Sequence, residues 1–311
     1  MTSFANSVPS LKAIYPETPE SSGSSKLEDQ SRQLIASANA RVKNKLASRD
    51  LLEFTKLTKP DYQADRFHRV LADILQKFYA DVVAKKSPRY IIIASPQHGK
   101  SELVSRRFPA WALGQQPDWA FIGNSYNQDW ANDLCRNVQQ IMEEDVYKDI
   151  FATRIPDRNK KSSSAVRNQD YFEVVGKQGR YKAVGRGGSA TGRPAHCLII
   201  DDPLKDYQEA MSDLIRQTSW DHYLSSLRTR VQQGGGILLI LTRWHDDDMA
   251  GRMIEQAKNN TSQYKDNWKV FRFPAIAEAP TDQIAADMQP NPLEWRKDGE
   301  ARRYVLLLGR L

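Results

Sequence analysis

The chain has little cysteine and no long apolar run. Among its 311 residues, 2 are cysteines, Cys135 and Cys197. Two thiols cannot build a disulfide framework or a four-cysteine zinc site. No apolar stretch approaches the roughly 18 residues that a membrane-spanning helix needs. The first residues lack the charged and apolar regions of a secretory signal. Together these absences predict a cytosolic protein with both thiols in its core.

Charge of one sign is not concentrated anywhere in the sequence. Lysine and arginine number 45 against 38 acidic residues, a net charge of +7. Such a balance permits nucleic-acid binding without requiring it. No zinc-finger or helix-turn-helix pattern is present, so any DNA contact is expected at phosphates, non-specific and sensitive to salt. The basic residues form only small groups, each typical of a solvated face: Arg106 with Arg107, Arg154 with Arg158, Lys160 with Lys161, and Arg228 with Arg230.

Composition divides the chain into four segments. Residues 1–30 are rich in Ser, Pro, Glu and Gly, which predicts a disordered tail. Residues 31–86 are interpreted as a helical region, with long helices expected over 27–57 and 64–84. Residues 87–280 are expected to form the core, and 281–311 a linker and tail.

A phosphate-binding loop is the strongest motif. It follows the apolar run 90–93 and precedes a helical stretch, 102–107, which is the context that a Gly-Lys-Ser loop requires. Its residues are Ala94, Ser95, Pro96, Gln97, His98, Gly99, Lys100 and Ser101. The loop backbone and the helix N-terminus would hold phosphates, Lys100 would reach the β- and γ-phosphates, and Ser101 would bind Mg²⁺. The alternative is an ordinary strand-to-helix turn.

A second strand, 197–202, ends in two acids. We assign Asp201 to Mg²⁺ and Asp202 to the attacking water, because carboxylates beside the loop strand perform these roles in nucleotide hydrolysis. Asp202 is one methylene shorter than the Glu that many such motors use. A strand followed by an Asp-Asp-Pro turn is the alternative interpretation.

Further candidates flank these two motifs. A third strand, 234–241, leads into Thr242, which would sense the γ-phosphate, and into Arg243 and His245, which would relay that state outward; a structural role is the alternative for His245. Upstream of the loop, side chains are expected to contact the nucleotide ring. These are Tyr62, Gln63, Phe67 and His68, although packing alone would explain Phe67.

The alternation of strands and helices predicts the fold class. It favours a mostly parallel sheet with helices on both faces, as in P-loop NTPases of the additional-strand (ASCE) type. We also expect a long helix at 128–144, a hairpin at 171–184, a helix at 208–229 and a closing strand at 269–273. The helix after the loop should kink or end near Pro109.

With these motifs in this order, residues 50–300 resemble the ATPase half of tailed-phage terminase large subunits. Five further segments carry the likeness, and several motifs in order are more specific than one loop. They are Phe67-His68-Arg69, Asn124-Ser125-Tyr126, the Gly- and Arg-rich run 185–193, the run 201–206 and the run 241–248.

The resemblance implies an ATP-hydrolysing motor that pumps double-stranded DNA into a prohead. ATP and Mg²⁺ would be its cofactors. A portal protein, a small terminase subunit and a ring of about five copies of the chain would be its partners. Its place of work would be the host cytoplasm.

The sequence departs from the family pattern at two places. Relatives often carry Arg near Gln97, so an arginine finger would have to be Arg193 or Arg186; contact with DNA phosphates or solvent is the alternative for both. After Ala301 the family pattern is lost and the sequence stops at Leu311. A frameshift, a split gene or a decayed prophage copy would explain this, and we expect no endonuclease activity from these residues.

Two other functions stay open on the sequence alone. A helicase-like DNA-dependent ATPase would share the loop and the acidic strand, but it would need a second motor lobe. A silent prophage remnant would bind nucleotide or DNA without turnover.

Overall fold

The computed structural model describes residues 22–158, 165–190, 192, 194–258 and 266–273, with side chains from residue 29 onward. The strands in these residues are β1 (Arg89–Ala94), β2 (Ala120–Ser125), β3 (Tyr171–Glu173), β4 (Arg180–Gly185), β5 (Ala195–Asp201), β6 (Val231–Leu241) and β7 (Trp268–Phe273). The α-helices are α1 (Ser22–Arg49), α2 (Leu51–Thr58), α3 (Arg66–Val83), α4 (Phe108–Gln115), α5 (Gln128–Glu143), α6 (Asp145–Ile150), α7 (Tyr207–Met211), α8 (Asp213–His222) and α9 (Met249–Lys258).

All the strands belong to one sheet, in the order β3-β4-β2-β5-β6-β1-β7. Every neighbouring pair is parallel except the hairpin β3–β4. The strand β1 lies between β6 and the edge strand β7, and it pairs with them through Ile91↔Leu239 and Ile91↔Val270. The predicted mostly parallel sheet is confirmed.

Helices cover both faces of the sheet, because alternate residues of each central strand enter different cores. On β1, Tyr90 and Ile92 lie in the core that contains α2, α3, α4 and α5. Ile91 lies in the opposite core with α8 and α9. Parallel strands buried on both faces are expected to be continuous apolar runs, and this is why the runs at 90–93 and 197–200 were predictable. Both cysteines are fully buried, as expected.

Two long predicted helices are interrupted by capping residues. The helix expected over 27–57 divides at Asp50, whose carboxylate accepts the Glu53 N–H at 2.8 Å and begins α2. The helix expected over 208–229 divides at Ser212, whose hydroxyl accepts the Ile215 N–H. Side-chain caps of this kind compete with the continuing helix. After α8 the chain forms a π-helix, Tyr223–Leu227, and a 3₁₀ turn, Arg228–Arg230.

Contacts divide the chain into residues 1–43 and residues 44–311. In the first unit, the described side chains from 29 to 43 are exposed, including Leu34, Ile35 and Val42. The second unit contains the sheet, and α2 and α3 pack in the same core as β1. Of the tail predicted over 1–30, residues 22–30 lie in α1, and residues 1–21 lie outside the described residues, as does the predicted tail 281–311. The proposed segment boundaries stay predictions. None of the helices in the described residues is long and apolar enough to cross a membrane.

Candidate nucleotide-binding site

The phosphate-loop residues lie at the carboxyl end of β1, between the sheet and a short π-helix, Glu102–Arg107. Pro109 follows where this π-helix passes into α4, so the helix changes type near Pro109 and continues to Gln115. Single π turns are rare and occur often at functional sites. Within the loop, the His98 Nδ1–H donates to the Pro96 carbonyl at 2.6 Å.

Two loop residues have left-handed backbone conformations, Gln97 at φ 60° and Gly99 at φ 67°. At Gly99 a side chain would also be crowded, since a Cβ would lie 3.3 Å from His68 Nε2. Gln97 and Gly99 are exposed, whereas Lys100 is buried. The loop backbone is therefore open to solvent above a buried lysine, an arrangement suited to phosphate oxygens.

Lys100 joins the ends of three strands. Its ammonium donates to Asp202 Oδ1 at 3.0 Å and to the Thr242 hydroxyl. Thr242 also donates its N–H to the same Asp202 oxygen, at 2.8 Å, and its hydroxyl to the Ala94 carbonyl at 3.3 Å. The structure thus brings together residues from the ends of β1, β5 and β6 that the sequence placed at one edge of the sheet.

Asp202 has an unusual backbone. It follows β5 at φ 44°, which is uncommon for a residue other than glycine. Its N–H donates to the Ile240 carbonyl at 2.9 Å, which fixes the turn against β6. Strained residues of this kind are concentrated at functional sites.

Asp201 is surrounded by serine hydroxyls. Ser101 Oγ donates to Asp201 Oδ1 at 3.0 Å, and Ser125 Oγ donates to the Asp201 carbonyl at 2.6 Å. The other carboxylate oxygen, Oδ2, is buried without a well-formed hydrogen bond in the described residues. Buried polar atoms are normally satisfied, so an unsatisfied oxygen beside Ser101 fits a site for a hard cation or its water.

The pKa of Asp201 is raised, to about 6. Burial is the main cause, and the neighbouring Asp202 carboxylate adds to it. The hydroxyls of Ser105 and Ser101 and the ammonium of Lys100 oppose the shift. A bound divalent cation would favour the ionised form in the same way as Lys100 does.

The candidate ring contacts lie at the start of α3. Asp65 and His68 form a capping box, in which the His68 N–H donates to Asp65 Oδ1 at 3.2 Å. The Tyr62 and His68 rings are 5.2 Å apart, edge to face. Phe67 is 1% exposed and packs at 4.9 Å from the Phe273 ring, so packing accounts for its position. Two members of this group reach the phosphate loop: His68 lies beside Gly99, and the Phe67 ring lies edge to face with the His98 ring at 6.4 Å. All four residues stay predictions as contacts of a nucleotide ring.

Of the two candidate finger arginines, Arg186 is engaged elsewhere. Its guanidinium forms two parallel hydrogen bonds with the Glu209 carboxylate, at 2.8 and 2.9 Å. Such bidentate pairs have a fixed geometry. Arg193 lies outside the described residues.

Arg243 and His245 make local contacts. Arg243 Nε donates to the buried Asp248 carboxylate at 3.1 Å, and its Nη2 to the Asp246 carbonyl at 2.8 Å. His245 Nδ1 accepts the Asp247 N–H at 2.9 Å. The segment after Thr242 is therefore a compact turn that leads into α9, and its coupling role stays a prediction.

Tyr126 is a residue that was not assigned to the site from sequence. Burial raises the pKa of its hydroxyl, and the carboxylates of Asp202, Glu209 and Asp201 add to the shift. It lies in the Asn-Ser-Tyr segment after β2, and the position of that segment at the carboxyl edge was the available signal. Ser105 was missed as well, although its spacing of four residues from Ser101 places both on one helix face.

The basic residues noted in the sequence were predicted to lie on solvated faces, and for Arg107 this prediction is wrong. Arg107 is buried and donates to Glu102 at 2.8 Å and to Thr58 at 2.9 Å. Arg228 pairs with Asp266 at 2.9 Å.

In the described residues, no group of three or more His, Cys, Asp or Glu side chains could hold a metal ion.

The solved structures that resemble this one include large terminases from three phages. The structure resembles the large terminase of bacteriophage HK97 with a TM-score of 0.44 and 15% identity, over 80% of this chain and 48% of that one. The chain thus spans about half the length of that protein. An ATPase-domain mutant from Thermus phage P74-26 matches with a TM-score of 0.38 and 14% identity, over 64% of this chain and 80% of that one. The large terminase of another thermophilic bacteriophage, in complex with ADP, matches with a TM-score of 0.35 and 13% identity, over 67% of this chain and 48% of that one.

No curated protein matches the sequence significantly. A sequence model of one family does match, over residues 91–303, and its description is "Terminase large subunit, T4likevirus-type, N-terminal". This range covers the phosphate loop, both acids and Thr242. The chain therefore belongs to the T4likevirus-type terminase large-subunit family.

Proposed function

We propose that the chain is the ATP-hydrolysing part of a motor that packages double-stranded DNA into a prohead. The single observation that supports this most strongly is the hydrogen-bonded link between Lys100, Asp202 and Thr242 at the ends of β1, β5 and β6. An ordinary strand-to-helix turn would not need a buried lysine, and an Asp-Asp-Pro turn would not need a strained aspartate tied to two other strands.

In this proposal the loop residues 95–101 hold the phosphates of ATP. Ser101 and Asp201 would hold Mg²⁺, since both are oxygen ligands and one Asp201 oxygen is free of a well-formed hydrogen bond. The cation would neutralise phosphate charge when bound. His68 would border the loop above Gly99, and Tyr62, Gln63 and Phe67 would form the side of the site toward the nucleotide ring.

Lys100 has to exchange partners during the reaction. In the structure its ammonium donates hydrogen bonds to Asp202 and Thr242. A γ-phosphate would compete for the N–H groups of the Lys100 ammonium and draw Lys100 away from the Asp202 carboxylate. Asp202 would then be available to orient and deprotonate the attacking water. Thr242 is hydrogen-bonded to both Lys100 and Asp202, so its hydrogen bonds would change with this exchange. Thr242 follows β6 directly, and the change would therefore be transmitted to β6.

The remaining parts of the proposal come from the family. The motor would act in the host cytoplasm, at the portal of a prohead, as a ring of copies with a small terminase subunit. Either Arg186 or Arg193 would supply the arginine finger, within one subunit or to its neighbour. DNA would be held through its phosphates, so binding should weaken steeply with salt.

The test is steady-state ATP hydrolysis by the purified chain, with and without linear double-stranded DNA. Lys100→Ala is the informative variant, and Lys177→Ala, at an exposed position, is its matched control. Turnover that is lost in the first variant and kept in the second supports the ATPase, and stimulation by DNA supports the motor. Nucleotide binding with no turnover in any condition would contradict the proposal for the isolated chain and favour the silent remnant.

A further inference from the structure

A second cleft lies at the opposite edge of the sheet from the phosphate loop. It has a volume of about 280 Å³. It is formed by the turn after α3 and by the starts of β2, β5 and β6. Its lining residues are Val82, Val83, Lys85, Gln116, Trp119, His196, Gln232, Gln233, Gly234 and Gly235. Because β2 spans six residues, the two sites are about 20 Å apart along the strands, too far for one nucleotide to occupy both.

An irregular segment of β6 builds one wall of the cleft. On β5 only His196 separates the paired residues Ala195 and Cys197, whereas on β6 the four residues 232–235 separate their partners, Val231 and Gly236. Bulges redirect side chains and are often found beside functional sites.

The bulge depends on glycine. Gly234 has φ 83°, and a Cβ there would lie 2.8 Å from Lys85 Cβ. A Cβ on Gly235 would lie 2.8 Å from the His196 carbonyl oxygen. The glycines thus let the strand pass close to both neighbours while Gln232 and Gln233 stay at the surface.

A column of aromatic rings leads into the cleft. The Tyr79 and Trp119 rings are 5.2 Å apart, and Trp119 stacks on His196 at 5.8 Å with an interplanar angle of 11°. Gln116 donates to the Tyr79 hydroxyl at 3.1 Å. Trp119, in the middle of the column, is buried, whereas Tyr79 and His196 at its two ends are partly exposed; His196 is the end that lines the cleft.

His196 presents a defined hydrogen-bonding edge. The Ala120 N–H donates to His196 Nδ1 at 3.0 Å, so in the neutral ring the proton is on Nε2. Burial, with a smaller effect of Arg180, lowers the pKa of His196 and favours the neutral ring, while Asp118 opposes this.

The polar side chains of the cleft are available to a ligand. In the described part of the chain, Gln232, Gln233 and Lys85 make no side-chain hydrogen bond or ion pair. The lining has one cation and no carboxylate. Glutamine amides offer a donor and an acceptor side by side, as the edges of nucleobases do. A lone phosphate would use only Lys85, and an apolar ring would leave the amides unused.

We propose that this cleft binds the base of an unpaired nucleotide. The base would extend the ring column beyond His196, the amides of Gln232 and Gln233 would bind its edge, and Lys85 would face its phosphate. The chemistry is shared by a free nucleotide and by an unpaired base in a DNA strand. The proposal does not depend on ATP hydrolysis at the phosphate loop.

The first experiment measures binding of a fluorescein-labelled ten-nucleotide thymidine strand by fluorescence anisotropy, with no other nucleotide present. Gln233→Ala and Lys85→Gln should each weaken binding, and the double variant should do so by about tenfold or more. The matched controls, Gln178→Ala and Lys177→Gln, exchange exposed residues outside the cleft and should bind as the wild type does. Equal binding by the cleft variants and the controls would overturn the proposal.

Competition then identifies what is recognised. Thymidine monophosphate should displace the labelled strand, and deoxyribose 5-phosphate should not. Displacement by both with similar strength, or by neither while a duplex of the same length competes fully, would show a phosphate site and overturn the proposal. The two competitors are then compared at equal concentration of bases. If thymidine monophosphate competes as well as the unlabelled single strand, the cleft recognises free nucleotides. If the unlabelled strand competes at a far lower base concentration, the cleft recognises DNA. Lys100→Ala should leave all these results unchanged, which separates them from failure of the ATPase.

Discussion

Lys100 and Asp202 form an ion pair across the candidate site. The ammonium nitrogen lies 3.0 Å from Asp202 Oδ1, and the lysine side chain is 7% exposed. The Lys100 ammonium, which is proposed to hold phosphate, is therefore ion-paired with the Asp202 carboxylate, which is proposed to activate water. Removing either one leaves the other without its charge partner in a partly buried place, which is costly.

We expect this pair to be visible as energetic coupling. Lys100→Met and Asp202→Asn should each lower the free energy of unfolding of the nucleotide-free protein by about 1–2 kcal/mol, between the values for exposed and buried pairs. The double variant should lose less than the sum. Urea unfolding of the four proteins checks this. Losses that add, within about 0.3 kcal/mol, would mean that the two side chains do not stabilise each other.

Asp201→Asn should separate stability from activity. Burial and Asp202 raise the folded-state pKa of Asp201 to about 6, so above that pH the folded protein holds an unfavourable carboxylate. The amide removes this cost and can still accept the Ser101 hydrogen. We expect the free energy of unfolding to rise by about 1–3 kcal/mol at pH 7.5, whereas Mg²⁺-dependent ATP hydrolysis is lost.

The pH dependence of this gain follows from the direction of the shift. Between about pH 4 and pH 6 the folded wild type keeps a proton that the unfolded chain has released, so wild-type stability falls as the pH rises through this window. The gain from Asp201→Asn should be full above pH 6 and should vanish near pH 4. Asp246→Asn, at a fully exposed carboxylate, is the control and should change little at any pH. A gain that is independent of pH would contradict the assignment.

The interior strands of the sheet, and the residues that meet at its carboxyl edge, could be predicted from the sequence. Strands such as β1 and β5 are buried on both faces, so they are unbroken apolar runs that end where polar residues begin. Because the carboxyl ends of parallel strands share one edge, the sequence alone places Lys100, Asp201 and Thr242 together.

Other features could not be obtained in this way. The pairing of Arg186 with Glu209 joins the turn after β4 to α7, 23 residues further along the chain, and no local pattern encodes it. The bulge of β6 depends on close approaches at Gly234 and Gly235 that only a folded neighbour creates. The break at Asp50, by contrast, could have been predicted, since an Asp followed by Glu53 three residues later is a helix-start signal.

Arg186 and Glu209 offer a test of the arginine finger. If Arg186 acts on nucleotide, its ion pair with Glu209 holds the guanidinium away from the phosphate. Substitution of Arg186 and substitution of Glu209 should then have opposite effects on ATP turnover. We expect Arg186→Ala to lower ATP turnover by at least about 100-fold, as loss of a finger does, and Glu209→Gln to keep or raise it. Single-turnover hydrolysis at saturating ATP checks this. A loss of similar size in both variants would indicate that the pair only stabilises the segment between β4 and β5, and Arg193 would then be the remaining candidate.

Gly99 and Gly176 form a matched pair for testing the phosphate loop. Both have φ 67°, but a Cβ on Gly99 would lie 3.3 Å from His68 Nε2, whereas a Cβ on Gly176 has open space around it. Alanine at either position should cost about 1 kcal/mol of stability through backbone strain. Only Gly99→Ala should also weaken binding of ATP, by at least about tenfold, because its methyl group lies between His68 and the loop backbone that is to meet the phosphates. Urea unfolding and equilibrium binding of a fluorescent ATP analogue measure the two effects separately. If both variants bind nucleotide as the wild type does, the phosphates do not approach the loop at Gly99, and the proposed position of ATP would be wrong.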